Sequence, residues 1–161
     1  MKNVNVLLDT GTSPSVVSQE IAHGLRLRGK TASIQTLKGT IQTQIVILPR
    51  IQIGPMDADS VEVVVQDLRF IEQTLGISLW GIAGLDLLST GSFTIDYPRR
   101  KIAFGSIALR EREVRFETQV PFLTVNVTIE GQAVLLLVDS RAEGLLVHGG
   151  RPTDNAGSPS S

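Results

Sequence analysis

Apolar residues in this chain come in short runs that stop at glycine, proline or a polar turn, and valine, isoleucine and threonine dominate them. β-branched side chains pack well on a pleated surface, so the runs read as strands over residues 3–8, 32–37, 40–48, 61–65, 92–96 and 101–104. Leu37-Lys38-Gly39-Thr40 lies between two of them and predicts a β-hairpin turning near Gly39. Residues 15–28 fit neither a period of two nor one of 3.6, which suits a strand end followed by a short helical turn. Residues 67–75 and 86–89 can each hold a further helical turn. Many short strands and few helices predict an all-β sandwich or barrel. Beyond them, residues 109–118 (LREREVRFET) form a charged run, read as an exposed strand or connector. Residues 122–129 and 133–138 flank Glu130-Gly131 as a second hairpin, and 149–161 have too little apolar surface to stay ordered.

One pattern occurs twice. VNVLLDTGTSPSVV (4–17) and AVLLLVDSRAEGLLV (133–147) align at an offset of 130, which places Val4 on Val134, Leu7 on Leu137, Asp9 on Asp139 and Val17 on Val147. Each is an apolar strand running into an aspartate and a small-residue turn, followed by apolar residues again. A lone carboxylate between buried strands is costly unless hydrogen bonds meet it or it takes up a proton. Gly11 can adopt a positive φ and bring its N–H to Asp9, while Thr10 and Thr12 supply hydroxyls. Read from the tripeptide alone, the alternative is an Asx-type turn that merely reverses the strand.

Composition narrows the chemistry. With 15 basic and 16 acidic residues the net charge is −1, so no basic surface points to nucleic acid. There is no cysteine, which excludes disulfides, thiol catalysis and cysteine-ligated metal. His23 and His148 have no acidic partner at ligand spacing and read as surface or loop residues. No apolar run reaches the roughly 18 residues of a membrane span, and Asp9 interrupts the only candidate leader, so the compartment stays open, cytoplasmic by default. Ser13-Pro14-Ser15 has no nucleophile elbow around it, and Gly81-Ile82-Ala83-Gly84 lacks the lysine of a phosphate loop.

Asp9-Thr10-Gly11-Thr12-Ser13, followed at a distance by Trp80-Gly81-Ile82-Ala83-Gly84-Leu85-Asp86-Leu87-Leu88 and then Phe93-Thr94-Ile95-Asp96-Tyr97, resembles the retropepsin-like aspartic peptidases, closest to bacterial members that carry two units in tandem. The resemblance covers residues 3–105, with a partial second copy over 121–147. It implies an all-β, retropepsin-like closed barrel with one short helix, and peptide-bond hydrolysis without metal or cofactor. Asp9 would be the catalytic aspartate, Thr10 would join the bonding between two loops, and Gly11 would set its N–H under the carboxylate. Thr12, Lys38, Gly39, Ile82 and Gly84 are implied at the substrate, Lys38 and Gly39 through a covering hairpin and Gly84 by letting a crossing strand pack closely. In such a site two carboxylates share one proton and act on a water between them.

The second copy departs from this pattern. Ser140 can stand for threonine, but Arg141 occupies the glycine position, where positive φ and bulk both argue against it. Salt-bridging of Asp139 to Arg141 or another cation is then the expectation, and the twin carboxylate is expected from a homodimer, Asp9 facing Asp9 of a second chain. The domain reading is 1–108 as the peptidase unit, 109–120 as connector, 121–148 as a partial repeat and 149–161 as tail. Residues 3–8 lack a leading partner strand, and 122–129 is a candidate to fill that edge. Trp80 is expected to pack in the core or at its rim, and Asp86 to cap the helical turn after it. The alternative function is an inactive or truncated member acting as a peptide-binding or assembly module.

Overall fold

The structure, a computed structural model, describes residues 4–36, 39–105, 116–119 and 122–142. Lys38, His148 and the 149–161 tail lie outside the described residues, as does most of the charged connector. The chain is mostly β. In order run β1 (Val6–Leu8), β2 (Val16–Ser18), α1 (Gln19–Gly24), β3 (Gly29–Thr36), β4 (Gly39–Ile53), β5 (Met56–Gln66), α2 (Arg69–Leu75), β6 (Gly81–Ala83) and α3 (Leu85–Leu88). β7 (Phe93–Asp96), β8 (Lys101–Phe104), β9 (Phe116–Gln119), β10 (Phe122–Ile129) and β11 (Gln132–Leu137) follow. Three helices form where three helical turns fit the pattern, rather than the single helix of the family expectation. α1 starts where the Ser18 hydroxyl accepts the N–H of Ile21, an N-cap that ends β2.

Six strands make one sheet in the order β1-β6-β2-β5-β4-β3. β6 therefore inserts between β1 and β2, the strands on either side of Asp-Thr-Gly, parallel to the first and antiparallel to the second. β4 is much longer than its apolar pattern suggests. Pro49, which reads as a strand end because it has no N–H, lies beyond the reach of β3, whose pairing stops at Val46. It faces Ser60, whose φ of +56° interrupts the ladder, and the register resumes at Arg50↔Asp59. Val17, Ala22, Val46 and Val63 form one core cluster, and Leu68, Leu79 and Ile82 another, with Leu7 and Val16 packed against it.

β7 and β8 pair as a hairpin. β10 is the centre of a separate sheet, flanked by β9 and β11. Its turn has Glu130 at φ +51° and Gly131 at φ +79°, the two positive values a two-residue hairpin turn requires. β9 pairs with residues 122–125 of β10 and β11 with 124–129, so within one chain β10 does not fill the edge of β1; among the described residues β1 pairs with β6 alone. No helix among the described residues is long and apolar enough to cross a membrane.

Candidate active site

Asp9 sits just past the end of β1 and is still held by the sheet, because its N–H donates to the Ala83 carbonyl at 3.0 Å. The residue is almost wholly buried, at 5% exposure. The carboxylate does not go unmet: the Gly11 N–H donates to Oδ1 at 2.9 Å and the Thr12 hydroxyl to Oδ2 at 2.8 Å. Gly11 achieves this without a positive φ, so the conformational reason expected for the glycine is not the one that applies. The reason is space. A Cβ on Gly11 would stand 2.8 Å from Asp139 Cγ and 2.9 Å from its Oδ2.

Asp139 thus lies directly against the Asp-Thr-Gly loop of its own chain, and the two loops share one conformation. Gly11 N–H to Asp9 Oδ1 is matched by Arg141 N–H to Asp139 Oδ1 at 2.7 Å. Thr12 N–H to the Asp9 carbonyl is matched by Ala142 N–H to the Asp139 carbonyl, both 3.3 Å. The offset of 130 is a repeated turn in space as well as in sequence. Between the loops runs a reciprocal clasp: the Thr10 hydroxyl donates to the Val138 carbonyl at 2.9 Å and accepts the Ser140 N–H at 2.9 Å. In return Ser140 Oγ accepts the Thr10 N–H at 3.1 Å and donates to the Leu8 carbonyl at 3.5 Å. Tyr97, at the end of the β7–β8 hairpin, donates its hydroxyl to the Ser140 carbonyl at 3.3 Å.

This corrects the view that Asp139 cannot approach Asp9 within one chain. The residue after Ser140 does not take a positive φ, so an arginine fits there without backbone strain. Nor does its bulk crowd the junction, because the side chain turns along the interface and sets Nη1 3.2 Å from Asp9 Oδ2. The expected pairing of Arg141 with Asp139 is made by its backbone only; its charge goes to Asp9. The loops are also unequal. Thr12 is matched by Ala142, which has no hydroxyl, so Asp9 receives three donors where Asp139 receives one among the described residues.

The loop is fixed from behind by a buried network. Ser15 is 1% exposed, and its hydroxyl donates to Asp86 Oδ1 at 2.7 Å while accepting the Gly84 N–H at 2.9 Å. Ser15 N–H donates to Asp86 Oδ2 at 3.0 Å. Asp86 is therefore not the cap of α3, which has no side-chain cap, but the acceptor that anchors the segment after Asp-Thr-Gly. Gly84 is confined to glycine by contact, since a Cβ would meet the Thr12 carbonyl oxygen at 2.4 Å. Ile82, assigned to substrate from the resemblance, is 6% exposed and packs with Leu68 and Leu79, because the middle residue of an inserted strand faces the core. Gly39 opens β4 at the hairpin turn with φ +118°.

An apolar cavity of about 240 Å³ is lined by Ser15, Ile82, Val6, Ile51, Ile53 and Trp80 among others, and neither Asp9 nor Asp139 borders it. Trp80 is 38% exposed at its rim. Among the described residues no group of three His, Cys, Asp or Glu side chains is arranged for a metal ion.

A strand passing between the two that flank a buried Asp-Thr-Gly, with a second aspartate loop clasped to the first through Thr10 and Ser140, defines an all-β protein with two aspartate turns held side by side. The family model described as aspartyl protease matches residues 2–86, and the chain belongs to that family. No curated protein matches it. Ser15, Asp86, Ser140 and Arg141 are the residues that sequence reasoning missed or set aside; only the offset of 130 pointed to the last two.

Proposed function

We propose that this protein is an endopeptidase whose two carboxylates, Asp9 and Asp139, come from one chain. The observation that carries the reading is the clasp, in which Thr10 and Ser140 occupy each other's hydrogen-bonding groups. A homodimer with Asp9 facing Asp9 would need the face of Thr10 that Ser140 already covers. Asp9, with three donors on its carboxylate, is acceptor-only and takes the proton of a water as that water attacks the scissile carbonyl. Asp139, with an oxygen left over, holds the proton that hydrogen-bonds the carbonyl and balances charge in the tetrahedral intermediate. The proton gained by Asp9 then passes to the leaving nitrogen. The β3–β4 hairpin, with Gly39 at its turn, is assigned to covering the peptide.

The test is cleavage of an unfolded protein substrate at acid pH. Asp9→Asn and Asp139→Asn are each expected to lower it by about 10²–10⁴-fold, a statine-type transition-state mimic to inhibit it, and activity per chain to be unchanged on dilution. Retained cleavage in Asp139→Asn together with loss of activity on dilution would support the homodimer instead. Peptide binding without cleavage would leave a binding module.

A further inference from the structure

Arg141 has more hydrogen-bonding capacity than its contacts use. One of its five guanidinium N–H groups reaches Asp9 Oδ2, and no other side-chain partner exists for it among the described residues. The Arg141 side chain is 39% exposed, whereas that of Asp9 is 7% exposed, so Arg141 is the solvent-accessible member of the ion pair. A peptide that reaches Asp9 comes within reach of this side chain, which is ion-paired to it. Its anchoring through Nη1 holds the planar fork in one orientation, which lowers the ordering cost of a second partner.

From this we infer that Arg141 is a specificity-determining residue, selecting peptides with an acidic side chain next to the scissile bond. The incoming carboxylate pairs with the free edge of the fork, a charge-assisted and bidentate contact that a glutamine amide cannot match. A lysine or arginine at the same place meets a like charge, so the residue rejects as well as attracts. Gly11, at the matching position of the first loop, offers no such group, and the preference therefore falls on one side of the bond. The inference rests on the reading of this site as a peptide cleft.

The experiment uses uncleavable statine-type peptides of one sequence, carrying Glu, Gln or Lys at each of the two residues flanking the bond. Their Kd values are measured on the full chain. The wild type is expected to bind the Glu peptide about tenfold more tightly than the Gln peptide on one side only, with the Lys peptide weakest. In Arg141→Gln the Glu-to-Gln ratio falls to about one, and Arg141→Lys, which keeps charge but not the fork, lies between. Equal binding of Glu and Gln peptides by the wild type at both positions, or a ratio unchanged across both variants, overturns the inference. Cleavage by wild type of the same Gln sequence made with an ordinary amide in place of the statine is read separately. No cleavage with the Glu preference intact refutes the hydrolytic reading while leaving the selectivity of Arg141 standing.

Discussion

Replacing Thr10 by valine keeps the shape of the side chain and removes the hydroxyl at the centre of the clasp. Two hydrogen bonds are lost, to the Val138 carbonyl and from the Ser140 N–H, at a residue 6% exposed. A typical intramolecular hydrogen bond contributes about 1 kcal/mol net, and a buried group left without a partner costs about 1–3 kcal/mol. Both orphaned partners are backbone groups of a partly buried junction, so a loss of about 2–3 kcal/mol follows, allowing for some access of water. Thr10→Ser keeps the hydroxyl and should lose well under about 1 kcal/mol. The assay is urea unfolding of the full chain at two protein concentrations a hundredfold apart. For a clasp within one chain the midpoint is the same at both, because no association is involved. Adding Ser140→Ala, which removes the reciprocal acceptor of the Thr10 N–H, should cost less in the double variant than the two singles summed, since one broken side loosens the other. Equal stabilities for the valine and serine variants, or a midpoint that rises with concentration, would refute the reasoning.

Gly84→Ala drives a Cβ to 2.4 Å from the Thr12 carbonyl oxygen, a backbone atom that cannot give, and should destabilise by about 1–3 kcal/mol in the same unfolding assay. Ser15→Ala strands the Gly84 N–H and removes two of the contacts that fix the loop, so a loss of about 2–4 kcal/mol is expected, with faster hydrogen exchange at the Gly84 amide. Asp9→Asn should lower the rate of peptide cleavage by about 10²–10⁴-fold with the fold retained, checked by circular dichroism. On the surface, the Arg69 hydrogen bonds hold the Asp67 carboxyl down at about 2, against an ordinary 3.8. The folded value lies below the unfolded one, so the pair's contribution is present above pH 3.8 and lost as the pH falls toward 2. Carboxyl NMR should place the Asp67 midpoint near 2 in the wild type and higher in Arg69→Gln, though still below 3.8 because the backbone N–H of position 69 continues to donate to the carboxylate.

Alternation and turn residues sufficed to locate both hairpins, β7, β8 and the carboxylate after β1, because each is decided by neighbours within a few positions. They cut β4 short at Pro49, since local pattern cannot say that no strand flanks that residue on the N–H side. Arg141 shows the limit most clearly. Read locally, an arginine in place of glycine disqualifies the second loop, for it implies a strained backbone and a crowded junction. In the fold the same position has an ordinary φ and an open path toward Asp9, and the residue becomes the third donor on that carboxylate. Likewise Asp86 looks like a helix cap beside α3 until the fold brings Ser15 to it across 71 residues. Sequence by itself determined that two aspartates end two similar strands 130 residues apart. That their loops lie together, with Thr10 and Ser140 clasped and the Arg141 guanidinium on Asp9, was decided only by tertiary structure, because no local preference specifies contacts between segments so distant along the chain.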